Sequence, residues 1–81
     1  MNKQTIINTV FKIFKTELGD DNLELSLDST PSSIEKWDSI NNLSIINAIE
    51  ERFEVTFSID DIFNIEKVDD FCDFILKNIT N

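Results

Sequence analysis

Apolar residues fall along this chain in a helical rhythm that is clearest at its two ends. Ile7, Val10, Phe11, Phe14 and Leu18 follow one another at spacings of three, one, three and four, which aligns them as one stripe of an α-helix. Ile6 and Ile13 widen the stripe. Gly19 comes directly after Leu18, where a left-handed C-terminal cap favours glycine, so the pattern predicts a helix over about residues 3–18. Val68, Phe71, Cys72, Ile75 and Ile79 repeat the same spacings. Asp69, Asp70 and Asp73 occupy the early turns of that last helix and Lys77 lies near its end, the polarity a helix dipole favours.

Between these ends, Ile45, Ile46, Ile49 and Phe53 share one side of a further helix. It begins at Asp38 or Ser39, either of which can serve as N-cap. Ile40 and Leu43 lie off that stripe, near the azimuth of Ser39. Leu43 adjoins Ile46 closely enough to be half-buried; alternatively it joins Ile40 in an apolar patch beside the serine. Ser58-Ile59-Asp60-Asp61 has the serine and later acid of a variant capping box, for a short helix through about Asn64 with Ile59, Ile62 and Phe63 inward.

The stretch from Gly19 to Asp38 has a different character. Asp20, Asp21, Asn22, Asp28, Ser29, Pro31, Ser32 and Ser33 form turns and caps. Leu23, Leu25 and Leu27 alternate as in a strand, but nothing else reads as a ladder partner. The segment is therefore expected to be a long loop whose leucines pin it to the helices, with a short helical turn at Ser32-Ser33-Ile34-Glu35. The expected fold is all-α, a small four-helix bundle of three long helices and one short one, with a long first loop. It forms one domain over residues 1–81, without repeats.

Composition narrows the chemistry. Hydrophobic residues make up 41% of the 81 and seven are Phe, enough to fold despite a net charge of -9. Stability of about 4–12 kcal/mol is expected at this length. The negative field makes nucleic acid and anionic lipid poor partners and basic protein surfaces good ones. No apolar run reaches the ~18 residues of a membrane span, and the N-terminus lacks the apolar block of a signal peptide, so a cytoplasmic monomer without membrane insertion is expected. The glycosylation-like triplets Asn42-Leu43-Ser44 and Asn78-Ile79-Thr80 are then coincidental.

One cysteine excludes an internal disulfide. Zero histidines leaves no imidazole acid, base or zinc ligand, and Gly19 alone cannot make a Gly-rich phosphate loop. Ser39 has no base to activate it as a nucleophile; Lys36 is three residues earlier, in the loop. Cys72 falls within an apolar stripe and reads as a structural, buried thiol. Asp60, Asp61, Asp69 and Asp70 lack the calcium-loop pattern and read as solvated helix caps. Trp37 reads as a loop anchor over one end of the bundle rather than a recognition aromatic. The chain is expected to be no enzyme.

Trp37-Asp38-Ser39-Ile40 opens an apolar helix ending at Phe53. With Ala48, Glu50-Glu51, Val55, Phe57 and the Ile65/Val68 entry to the last helix, it resembles the prosthetic-group site of acyl carrier proteins and their peptidyl and D-alanyl relatives. The resemblance is specific in those four residues and looser over the whole chain. It implies that Ser39 is the attachment point of 4′-phosphopantetheine, moved from coenzyme A by a phosphopantetheinyl transferase whose metal and basic residues Asp38 would border. It also implies cargo carried as a thioester on the arm's thiol, with acyl-loading and acyl-transferring enzymes as partners, and a long loop between the first two helices. An aminoacyl, D-alanyl or peptidyl carrier, or an unmodified helical interaction domain, remains an alternative.

Fatty-acid carriers bear acidic residues along the start of the second helix. Here Asn41, Asn42, Ser44 and Asn47 are uncharged, and acids return only at Glu50 and Glu51, beside Arg52. A partner face of Ile40, Leu43, Asn47 and Glu50 would therefore rely more on apolar contact and less on charge. A specialised carrier with dedicated, separately encoded partners is the expectation.

Overall fold

The computed structural model describes residues 2–79. They form four helices, α1 (Lys3–Leu18), α2 (Ser39–Phe53), α3 (Ile59–Phe63) and α4 (Val68–Asn78), and no strand occurs among the described residues. The all-α class, with three long helices, one short one and a long first loop, is as expected. Thr80, in the triplet Asn78-Ile79-Thr80, lies outside the described residues. None of the helices is long and apolar enough to cross a membrane.

Each end of α1 is closed by a local device. The Asn2 side chain accepts from Thr5 N–H at 2.9 Å. Gly19 takes φ 65, and Asp20 N–H returns to Lys15 O at 3.0 Å, satisfying a carbonyl that the helix leaves free. The buried line is Ile6, Val10, Phe14 and Leu18, with Ile7, Phe11 and Ile13 only partly covered. The stripe is thus centred on Ile6 rather than Ile7. α1 packs against both α2 and α4, and the residues facing the seam between those two helices are covered from both sides.

In α2 the expected Ile45, Ile46, Ile49 and Phe53 are buried, and in α4 Val68, Phe71, Cys72 and Ile75. The short α3 departs from expectation. Its capping box is present, with Asp61 N–H on Ser58 Oγ at 3.1 Å and Ser58 N–H on Asp61 Oδ2 at 2.9 Å. Yet Ile59 and Phe63 point outward, 72% and 78% exposed, and Ile62 alone of its three apolar residues packs on the core. Five residues are too few to lay down a full apolar face. The core beside α3 is already filled by the buried Val55, Phe57 and Val68.

The first loop is held from both sides. Ile34 and Trp37 are buried, and Leu23, Leu25 and Leu27 pack partly covered against the core, so the alternating leucines are pins and not a strand. Ser29 O accepts Val68 N–H at 3.0 Å and Leu27 O accepts Asp69 N–H at 2.9 Å. Loop carbonyls thereby take up first-turn amides of α4, donors that any helix leaves without an internal partner. Residues 32–35 do not form helix; Ser33 and Ile34 N–H both return to Thr30 O, at 2.9 and 3.1 Å, in an isolated turn.

The acids of the C-terminal half serve the fold. Asp70 Oδ2 accepts from Glu66 N–H at 2.8 Å and Lys67 N–H at 3.1 Å, closing the start of α4. Lys3 Nζ lies 3.6 Å from Asp69 and 3.7 Å from Asp73, joining α1 to α4. Cys72 is fully buried, and burial, reinforced by the charge of Asp69, raises its thiol pKa from 9.0 to about 11.

Candidate functional site

The residues of the expected site meet where the long loop enters α2. Asp38 is the N-cap: its backbone is extended, its Oδ1 accepts from Asn41 N–H at 2.8 Å, and its carbonyl accepts from Asn42 N–H at 2.8 Å. Asn41 Nδ2 reaches back to Lys36 O at 2.7 Å. These bonds fix the angle at which the loop turns into the helix. Of the two possible caps, Asp38 is the one used, which leaves Ser39 as the first helical residue with its hydroxyl uncommitted among the described residues. Ser39 is exposed.

Trp37 sits beneath. It is 3% exposed and meets Phe14 edge-on with ring centroids 4.8 Å apart. Phe71 lies 5.8 Å from Phe14 and 6.3 Å from Trp37. The indole Nε1–H donates to Asn42 Oδ1 at 2.8 Å, so burying this aromatic leaves no orphaned donor. Trp37 is the loop anchor expected of it, and Ser39 gains from it a fixed platform two residues away.

Around the serine, Pro31, Trp37, Asp38, Ser39, Asn42 and Ile65 line an open cleft of about 290 Å³. Pro31 comes from the long loop and Ile65 from the α3–α4 connection. Sequence reading did not associate Pro31 with the site, took Ile65 only as part of the family pattern and not as a cleft residue, and gave Asn42 no role in holding Trp37. A tryptophan five residues before an asparagine, across a loop–helix junction, was the available signal.

Along the exposed side of α2, Ile40 and Leu43 are 77% and 55% exposed, and Asn47 is exposed too. Leu43 therefore joins Ile40 in a patch beside the serine and is not a core residue. Glu50 differs from these three. It is half-buried, and its Oε2 accepts from Phe57 N–H at 2.9 Å, tying α2 to the chain that leads into α3.

The arrangement suits an anchored, phosphate-linked group. Ser39 Oγ stands at the N-terminal end of a 15-residue helix. The Ser39 and Ile40 N–H groups have no hydrogen-bond partner among the described residues, and helix partial charge there favours an anion. Space is open on the cleft side. No side chain among the described residues is hydrogen-bonded to the hydroxyl, and the Asp38 carboxylate beside it is engaged with Asn41 N–H. Among the described residues no group of three or more acidic, cysteine or histidine side chains is placed to hold a metal ion. A hydroxyl so presented is open to solvent at the head of α2.

Comparison with known proteins agrees with this geometry. Residues 8–75 match the family model described as "Phosphopantetheine attachment site". The acyl carrier protein of Cyanidium caldarium is 30% identical over 81 residues, covering the whole of this chain and 94% of that protein. The solution structure of holo acyl carrier protein from Geobacter metallireducens superposes with a TM-score of 0.81 at 22% identity, over 88% of this chain and 82% of that one, which shows the shared fold. The chain belongs to the acyl carrier protein family, whose prosthetic group is 4′-phosphopantetheine, and it is accordingly a carrier on which enzymes act and not itself a catalyst.

Proposed function

We propose that Ser39 carries the 4′-phosphopantetheine arm and that the chain, as one domain over residues 1–81, serves a specialised biosynthetic pathway with dedicated partner enzymes in the cytoplasm. The observation that carries the attachment is the exposed, uncommitted hydroxyl at the first position of α2, beside a cap that the neighbouring Asp38 already provides. When bound, the arm supplies a terminal thiol on which an acyl group is held as a thioester. The residues of this chain present and orient it. Ser39 Oγ accepts the group from a transferase that brings its own base, Asp38 offers that enzyme a carboxylate, and the Trp37–Asn42 pair keeps the head of α2 rigid. Tethering at a fixed point then raises the effective concentration of cargo at each partner enzyme.

The specialised reading rests on the exposed side of α2. Its first turns carry Asn41, Asn42, Ser44 and Asn47 without charge, and Glu50 is occupied with Phe57 N–H. Glu51 is exposed but adjoins the exposed Arg52. Docking that depends on Ile40 and Leu43 more than on charge is weakly salt-dependent, and suits a partner shaped for this chain. The test is intact mass of the apo protein after incubation with coenzyme A and a broad-specificity transferase. A gain of one phosphopantetheine by the parent and none by Ser39→Ala is expected; a gain by both rejects Ser39.

A further inference from the structure

The end of the bundle nearest Ser39 is filled by aromatic side chains. Trp37 forms part of the cleft lining and is at the same time almost wholly buried. Behind it Phe14 and Phe71 have no exposed surface, and the three rings touch edge-on or tilted at centroid distances of 4.8–6.3 Å. The bond from Nε1 to Asn42 Oδ1 at 2.8 Å ties the indole to α2. A long alkyl chain entering the bundle from the serine would have to move this ring, break that bond and separate close-packed neighbours.

The cleft itself, about 290 Å³, falls just below the ~300–1,000 Å³ typical of small-molecule sites. Its lining is mixed. Trp37, Pro31 and Ile65 are apolar, while Asn42, Asp38 and Ser39 are polar. Asn42 has its oxygen committed to the indole, so its carboxamide nitrogen retains donors for a hydroxyl or carbonyl.

We propose that this chain carries a short, polar acyl group that rests in the open cleft at the head of α2, and that Trp37 is the specificity-determining residue that keeps long alkyl chains out of the bundle. This rests on Ser39 as the attachment point and adds the class of cargo. Asn42 both positions the indole and offers its amide to the cargo. Long-chain cargo on the same arm stays in water, where its apolar surface is unfavourable.

The test uses the full chain, loaded by a transferase from lactyl-coenzyme A or dodecanoyl-coenzyme A, with intact mass and peptide fragmentation establishing one group on Ser39 in each case. Absence of loading, or loading elsewhere, rejects the attachment and this proposal with it. For the loaded proteins the readouts are the indole N–H and Asn42 amide signals, the methyl signals of Ile45 and Ile75, and the melting temperature. The lactyl form should move the indole and Asn42 signals by more than a linewidth and leave both methyls in place. The dodecanoyl form should leave those methyls and the melting temperature unchanged. Core methyl shifts with a higher melting temperature in the dodecanoyl form, or a lactyl form whose indole and Asn42 signals match the unacylated holo protein, would overturn the proposal. Trp37→Phe, which keeps a ring but removes the bond to Asn42, should let the dodecanoyl chain shift the Ile45 and Ile75 methyls. If that variant does not fold, the parent measurements decide alone.

Discussion

Asp38 Oδ1 lies 2.8 Å from Asn41 N, and this bond gives the acid beside the serine a structural duty besides the transferase recognition proposed for it. The two roles separate by substitution. Asp38→Ala removes the cap and should cost about 0.5–2 kcal/mol, seen as a lower melting temperature. Asp38→Asn keeps a good cap but loses the charge. It should melt with the parent and accept phosphopantetheine more slowly, as measured by initial rates of mass gain. An Asn variant that is modified at the parental rate would confine Asp38 to capping.

The core and α3 make opposite predictions for the same kind of residue. Phe71 is fully buried, 5.8 Å from Phe14 and 5.9 Å from Phe57 between ring centroids. Phe71→Ala should cost about 3–5 kcal/mol, comparable with the ~4–12 kcal/mol expected for the whole chain. Phe63, on the outward side of α3, should tolerate alanine within ~0.5 kcal/mol. Chemical denaturation of the two variants checks both, and a large loss for Phe63→Ala would show that α3 packs differently.

That contrast marks where sequence reading stops. The helices with several turns were legible because Ile45, Ile46, Ile49 and Phe53, or Val68, Phe71, Cys72 and Ile75, repeat often enough to set a phase. Ile59, Ile62 and Phe63 do not, and the phase of α3 is imposed by its flanks. The loop's leucines were legible as pins. The bonds from Val68 and Asp69 N–H to Ser29 and Leu27 carbonyls were not, because backbone groups carry no residue-type signature. At the site, the exposed Ser39 follows from a capping pattern. The Trp37–Asn42 bond and the meeting of Pro31 with Ile65 depend on how the first loop and the α3–α4 connection fold back, and Glu50, expected on the partner face, has its carboxylate on Phe57 N–H.

Burial of Cys72 has a pH signature. Its thiol pKa is raised in the folded chain, from 9.0 to about 11, by desolvation first and Asp69 second. The folded state holds the proton more tightly than the unfolded one. The resulting stability is therefore fully present below pH about 9 and is lost as pH rises towards 11. The span corresponds to on the order of 2–3 kcal/mol. Comparing denaturation of the parent and Cys72→Ala between pH 8 and 11 isolates this group from the lysines. The parent should lose more stability than the variant, and the native thiol should resist alkylation at pH 8.

Docking on α2 should depend on apolar contact. Leu43→Ala removes an exposed side chain and should leave the melting temperature close to the parent's while lowering the rate of cargo transfer to the native partner. Glu50→Gln keeps an acceptor for Phe57 N–H and should change transfer less, with little effect of added salt. Glu50→Ala removes the acceptor and should cost about 1–3 kcal/mol of stability. Transfer that collapses in moderate salt or with Glu50→Gln, but survives Leu43→Ala, would instead assign docking to charge.

The claim on which the rest depends is the place of attachment, and fragmentation mass spectrometry of the modified protein tests it most directly. After incubation with coenzyme A and a transferase, the phosphopantetheine should be found on the peptide containing Trp37-Asp38-Ser39-Ile40, with fragment ions placing it on Ser39 alone. A modification located on Ser44, Ser58 or any other hydroxyl would contradict it.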